Sequence, residues 1–582
     1  MTERLRLSTL ELLLVRFAQG SGLDPQGGFR GRTRRIRGGA HRVLHGIRGT
    51  LAVACAAAGA GCAGIAESPR AAYAVSAPAG NSFRASAAGD APSFAIAGSE
   101  LDGQTSGELE LERGVADHAL RDGRIGLFPT EQFELATGEC ADCGVPAAAL
   151  WWFRDEVIAV PKRMQGGSSQ RAVGPPAIVW LGSPQVIEGA RLSEDARTVR
   201  AEGRSIPIAL TPPLATNAAF ADASTAQYFM GRPLTIRGAE SSGSGGSRFV
   251  ARTIFPEDER IDLGALRPAP LRPNELLGTM LEAQTDSRYR MLYSRGDPVG
   301  WAGRPVVAFV LSGAQGDDDG SRGGHVAVAT GVLGERGEWG EWLVTNFYPL
   351  LEGNAKGIIP AALPLDNYLY DLNSGQLYYR PGYMLVAVLA RPRAALAVQE
   401  ALQDTLHALH CGEIEFDRAR RNSTAMTIDP LRELGWRIPA VGPTSRIAGV
   451  AAAPFAALVR RSFRTAGSVY ATFAAERTRL LPRVAFEVAG HDLLQLAQLG
   501  AGEDRDLTPF ERMLAEDVEG VLFVRLPQVP SSRRFGTYPT PSLWAYGAGL
   551  ISDPGGYEAA PEAEDPELPD DELRVTCADP GA

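Results

Sequence analysis

Four apolar runs crowd into residues 306–389, and they restrict the fold more than anything else in the chain. Val306–Leu311, His325–Val332, Glu341–Tyr348 and Tyr383–Leu389 are short, mostly rich in β-branched or aromatic residues and bounded by Gly, Asp, Asn or Pro, as strands are. A helical pattern near Asn274–Gln284 precedes them and another spans Ala394–His410. Strands that follow one another without a helix between them pair antiparallel, so the expected class is α+β.

The flanks divide by composition. Residues 116–268 carry β-like runs, Val157–Val160, Ala177–Leu181, Ile206–Leu210, Leu234–Ile236 and Phe249–Phe255, separated by Pro and Gly, which predict a small β-rich domain. Within it Arg237–Ser247 reads as a flexible loop. The α+β unit is expected over 269–437. Residues 438–552 turn Ala-, Leu- and Arg-rich at helical spacing and predict a helical region, with one more β-like run at Gly520–Leu526. Ile447–Val459 is apolar for too few residues to span a bilayer, which takes about 20. It reads as a core helix, with a membrane-surface helix as the alternative. No repeat of solenoid period occurs.

Charge belongs to processing more than to binding. The 58 Lys and Arg against 68 Asp and Glu give −10 overall. Residues 1–66 are basic, and residues 553–582 form an acidic, Pro-rich tail. This balance excludes nucleic acid as the expected partner. The Arg-rich stretch Arg30–Arg48 followed by TLAVACAAAGAGCAGIA has the layout of an export signal, so 1–66 is read as one. Gly61-Cys62 resembles the end of a lipoprotein cleavage box, which would make Cys62 a lipidation site and the N-terminus a membrane anchor. Residues 67–115, rich in Ala, Ser, Gly and Pro, read as a flexible tether. The expected location is the periplasm or the outer membrane.

Histidine is scarce, and only His325 opens a strand, in Gly323-Gly324-His325-Val326-Ala327-Val328. A turn at Glu335-Arg336 would set His325 opposite Asn346 on the next strand. Opposed residues lie about 5 Å apart, close enough for an amide to fix an imidazole tautomer. Further on, Arg421-Asn422-Ser423-Thr424-Ala425-Met426-Thr427-Ile428-Asp429-Pro430-Leu431 has apolar residues at helical spacing, closed by Gly435.

A His on a strand, a polar residue on the next and an Asn-Ser-Thr opening a helix resemble the order found in circularly permuted papain-fold proteins related to NlpC-type hydrolases. The resemblance covers about 300–437. It implies a permuted papain-like α+β domain that attacks an amide or ester carbonyl, with His325 as base, Asn346 as its orienter and Ser423 at the nucleophile position. Two departures accompany it. Ser423 stands where the family carries Cys, and a hydroxyl is a far weaker nucleophile than a thiolate. Pro430 falls inside the helix, so the helix could instead begin there with Asp429 as cap, leaving Ser423 in a loop. A working Ser-His hydrolase or acyltransferase and a degenerate domain that only binds both follow from these residues.

Residues 366–383 hold five of the fourteen tyrosines among amides and carboxylates. Tyr368, Tyr370, Asn373, Gln376, Tyr378 and Tyr379 suit a peptide or glycan of the cell envelope, a packed polar loop being the alternative. Cys140-Ala141-Asp142-Cys143 predicts a local disulfide in an exported protein. Asp317–Asp319 reads as an acidic turn, Lys356 as a surface lysine, and His407, His410 and Cys411 as a helix end that lacks a full metal-ligand set. No cofactor motif is present, and no metal site is expected. Together these features predict an exported envelope protein with a papain-like amidase-type domain. A non-catalytic envelope-binding protein and a membrane-associated structural protein built on the C-terminal helices are the competing readings.

Overall fold

In the computed structural model, residues 176–530 are described apart from internal stretches, the longer being 211–222, 278–287, 314–323, 350–359, 455–462 and 500–505; only short strands are described before 176. Those are β1 (Ser93–Ala95), β2 (Glu108–Glu110), β3 (Phe133–Leu135), β4 (Ala147–Phe153) and β5 (Glu156–Pro161). Strands β3, β4 and β5 join β6 (Val179–Gly182) in a four-stranded antiparallel sheet. The export signal, Cys62, the Cys140–Cys143 pair, Asn373, Lys356, Asp317–Asp319 and the acidic tail lie outside the described residues.

A closed five-stranded barrel follows, formed by β7 (Gln185–Leu192), β8 (Thr198–Ala201), β9 (Arg204–Leu210), β10 (Leu234–Gly243) and β11 (Gly246–Pro256), with helix α1 (Ala223–Phe229) between β9 and β10. The loop expected at Arg237–Ser247 is instead the far half of the β10–β11 hairpin, paired from Leu234↔Pro256 to Gly243↔Gly246. Its Gly and Ser residues suggest freedom, but ladder hydrogen bonds depend on backbone alone and need no large side chain. A bulge after Arg237 bends the hairpin, as barrel closure requires.

The central sheet has seven strands in the order β12-β18-β17-β13-β14-β15-β16. These are β12 (Tyr289–Ser294), β13 (Pro305–Ser312), β14 (His325–Val332), β15 (Leu343–Asn346), β16 (Ala361–Pro364), β17 (Gly382–Leu389) and β18 (Val518–Leu526). Every neighbouring pair is antiparallel. The mixed α+β class and the antiparallel pairing are as expected. The unit does not end at 437, however, because β18 inserts between β12 and β17. Residues beyond 438 therefore complete the sheet as well as cover it.

All eight residues of β13 and of β17 are buried, which explains why those segments read as continuous apolar runs without alternation. One face is covered by helices α4 (Arg393–His410), α5 (Ser423–Glu433) and α8 (Pro482–Leu499). Thr330 on β14 donates to Gln399 on α4, Phe309 on β13 packs on Trp436 just after α5, and Phe486 on α8 packs on Phe523 of β18. Leu385 lies directly opposite Phe309 and closes on Gly490 of α8, where an added Cβ would lie 2.6 Å from Leu385 Cδ2. Helix α9 (Pro509–Asp517) starts at a capping box, Thr508 with Glu511, and leads into β18.

The barrel is joined to the sheet through α2 (Leu365–Tyr370) and its C-terminal Asp371, ahead of the short α3 (Gln376–Tyr379). Arg237 of β10 pairs with Asp366 at 2.6 Å, Arg252 of β11 with Asp371 at 2.8 Å, and Thr253 Oγ1 donates to Asn367 Oδ1 at 2.9 Å. Phe255 of β11 meets Tyr370 edge to face at 5.5 Å and Trp339 at 5.2 Å. This seam combines buried charge pairs with aromatic contact area, so barrel and sheet are held in one arrangement.

Candidate functional site

His325 and Asn346 lie at one end of the central sheet, together with Ser312 and Arg380. His325 begins β14, Ser312 ends β13, Asn346 ends β15, and Arg380 precedes β17. Gly324 turns the chain into β14 with φ +85°, and an added Cβ there would lie 2.8 Å from the Ser312 carbonyl oxygen. A glycine is therefore needed immediately before His325.

The expected pairing of His325 and Asn346 is present, by a different register. The observed partners are Val328↔Thr345, Ala329↔Val344 and Thr330↔Leu343, two residues away from the spacing a turn at Glu335-Arg336 would give. The connection is longer because Gly334 N–H bonds the Glu338 carbonyl and Trp342 folds back to donate to the Val332 carbonyl. The shift by two keeps each residue on its face. His325 and Asn346 are thus diagonal neighbours, and Nε2 lies 2.6 Å from Asn346 Oδ1. The amide oxygen only accepts, so Nε2 carries the proton and Nδ1 the lone pair. The position one register step further is taken by Tyr348, whose ring stacks on the imidazole at 4.4 Å and 17°.

His325 is only 3% exposed. Burial pushes its pKa down to about 3, Arg380 nearby adds to the depression, and the bond to Asn346 opposes it. The ring is accordingly neutral at physiological pH. Arg380 is fully buried and is held by neutral acceptors, the Gln376 side chain, the Gly313 carbonyl and Tyr348 Oη. Ser312, directly opposite His325 across the β13–β14 ladder, shares its face and lies 3.3 Å from Tyr368 Oη. Nothing in the local sequence marks Ser312; only the strand register brings it beside the histidine.

Ser423 sits elsewhere. Asn422 caps α5, its Oδ1 accepting from the Thr424 and Ala425 amides, so the helix begins at Ser423. Pro430 is carried inside the helix, and the alternative start with Asp429 as cap is not adopted. Asp429 pairs with Arg479 instead. Thr427, one turn into α5, approaches the Val326 carbonyl at 3.5 Å, which lays the helix on β14 beside His325 in sequence. The side chains nevertheless diverge. Val328 lies opposite both Phe309 and Thr345 on the helix-covered face, as does Thr330, while His325, three residues from Val328, points with Asn346 to the other. No hydrogen bond joins Ser423 to His325 among the described residues.

The described part of the tyrosine-rich segment is packed, the arrangement given as the alternative to a ligand surface. Tyr368, Tyr370, Gln376, Tyr378 and Tyr379 are all buried, on the short helices α2 and α3. The carboxylates and amide that suggested a binding surface are taken by Arg237, Arg252 and Thr253 of the barrel. His410 is likewise internal, its Nε2 2.9 Å from the Pro360 carbonyl oxygen, and burial pushes its pKa down to about 4. Among the described residues no group of three His, Cys, Asp or Glu side chains could hold a metal ion. A cavity of about 230 Å³ lies near the start of α5, lined by Arg420, Ala471, Ala474, Glu476, Arg479 and Leu480; β14 and β15 contribute nothing to it.

The chain matches no family model, no curated protein and no solved structure.

Proposed function

We propose that the central unit is a catalytically degenerate domain of the permuted papain type, in an exported protein that binds peptide or glycan of the cell envelope without turning it over. The observation that carries this reading is the state of His325. It keeps the amide-oriented tautomer an acyl-transfer base needs, Nε2 on Asn346 and Nδ1 free, yet it is stacked under Tyr348, turned from α5 and unbonded to Ser423. A serine hydroxyl at its ordinary high pKa stays protonated unless a base takes its proton, so Ser423 at a helix N-terminus without His325 lacks the nucleophilicity for amide cleavage.

The test compares hydrolysis of envelope muropeptides by the native chain and by Ser423→Ala, Ser423→Cys and His325→Ala variants. The expected outcome is no turnover by the native chain, retained binding of muropeptide by calorimetry, and no His325-dependent gain with Ser423→Cys. Turnover by the native chain that disappears in both Ser423→Ala and His325→Ala would establish a working Ser-His hydrolase instead. Absence of binding as well as turnover would remove the envelope-ligand reading.

A further inference from the structure

Among the described residues two arginines are buried, Arg237 and Arg380. Arg237 is matched by Asp366 at 2.6 Å. Half-buried arginines are matched as well: Arg432 by Glu476 at 2.7 Å, and Arg479, on α7 (Arg477–Leu480) just after α6 (Phe463–Ala474), by Asp429 at 2.6 Å. Arg380 is the exception. Its side chain donates to Gln376 Oε1 from Nε at 3.0 Å and from Nη2 at 2.5 Å, to the Gly313 carbonyl from Nη1 at 3.2 Å and to Tyr348 Oη from Nη2 at 3.0 Å. No carboxylate pairs with it among the described residues. Burial also keeps its neighbours His325 and Tyr368 neutral.

Neutral acceptors offset the desolvation of a cation only in part, so this end of the sheet holds a charge without its counter-ion. A guanidinium has five N–H groups, and these four bonds leave one on Nη1 unused. Tyr348 governs access to the rest. It is half-buried, its hydroxyl lies on Arg380, and its ring is stacked on His325 at 4.4 Å. One side chain therefore covers the guanidinium and the imidazole face together. Turning it outward uncovers both and leaves one N–H on each terminal nitrogen of Arg380, the fork that a carboxylate takes with its two oxygens.

We propose that Arg380 anchors a carboxylate of the bound ligand, which displaces Tyr348 and takes one bond from Nη1 and one from Nη2. The inference rests on the reading of the domain as a binder of envelope peptide or glycan, and narrows that ligand to one carrying a carboxylate.

The full chain, with isotope-labelled histidine, is titrated with acetylglycine and with the uncharged acetylglycinamide, and the His325 imidazole resonance is assigned through a His325→Gln variant. Acetylglycine should move that resonance, because displacing the stacked Tyr348 ring removes its ring-current shift; acetylglycinamide should not. Arg380→Met should weaken acetylglycine by roughly tenfold or more. Tyr348→Phe keeps the ring and deletes the hydroxyl that competes for Nη2, so it should tighten acetylglycine by roughly fivefold. A guanidinium serving the fold alone gives no such gain, and this variant retains Arg380 if Arg380→Met does not fold. No response of the native and Tyr348→Phe chains to acetylglycine, or an equal response to acetylglycinamide, would overturn the proposal.

Calorimetry with muropeptide separates this proposal from the reading beneath it. Equal binding by the native and Arg380→Met chains would overturn the anchor and leave the envelope ligand standing. A His325 response to acetylglycine in a chain that ignores muropeptide would support the anchor and remove the envelope ligand. Where binding depends on Arg380, its loss on amidating the muropeptide terminus places a chain-end carboxylate in the site, and its retention places a side-chain carboxylate there.

Discussion

Lowering the pH from 7 to 5 should destabilise the fold through His325 by an amount that can be worked out. An unfolded histidine titrates near 6.5, whereas the buried ring of His325 holds its neutral form down to about 3. The folded pKa lies below the unfolded one, so the unfolded chain binds more protons throughout this window. The contribution to stability is complete above about pH 6.5 and is lost as pH falls toward 3. At about 1.4 kcal/mol per unit, and with only part of the unfolded histidine protonated at pH 7, the loss by pH 5 is about 2 kcal/mol. At 3% exposure, little solvent screening reduces it. Urea unfolding of the native chain and of a His325→Gln variant, each at pH 7 and pH 5, isolates the term, because other titrating groups and any cost of the substitution itself appear in both. The native chain should lose about 2 kcal/mol more than the variant between the two pH values. Equal losses, or an imidazole NMR titration of His325 with its midpoint near 6.5, would refute the burial argument.

Two further outcomes test the frame that positions the site. Asp366→Ala leaves the Arg237 guanidinium buried with the exposed Glu341 and the face of Trp180 as its neighbours, and should cost about 3–5 kcal/mol in urea unfolding; Arg237→Met added to Asp366→Leu should restore much of it. Gly337→Ala places a Cβ 1.9 Å from the Ile261 carbonyl oxygen at φ +86°, where Ile261 N–H bonds Gly337 O, and should lower stability by at least about 2 kcal/mol while leaving a control Gly303→Ala, also at positive φ but in open space, less affected.

The sequence made the central sheet visible because β13 and β17 are buried along their whole length, so their apolar runs have one reading. Helix α4 was equally plain from its apolar periodicity. Strand β12 and the Gly- and Ser-rich half of the β10–β11 hairpin were not, since their pairing rests on backbone ladders made by residues distant in sequence. At the site, the His325–Asn346 contact was foreseeable from two adjacent strands, although the turn that sets the register was not. The face that His325 adopts relative to α5 could not be read locally. It depends on which side of the sheet the helices occupy, and that is decided by α8 and Trp436 packing on Phe309 and Leu385. The tyrosines misled for a related reason. A tyrosine beside carboxylates looks the same in a ligand groove and in a domain joint, and Arg237 and Arg252, which make it a joint, lie more than a hundred residues earlier.

The most direct test of the degenerate-site account is covalent labelling of Ser423 by a fluorophosphonate, read by mass spectrometry of the peptide that contains it. The reagent reacts only with a serine whose proton a neighbouring base can take. With His325 stacked under Tyr348 and facing away from α5, Ser423 should remain unlabelled at pH 7, and His325→Ala should change nothing. Stoichiometric labelling of Ser423 that His325→Ala abolishes would contradict the account and make the site a working serine hydrolase.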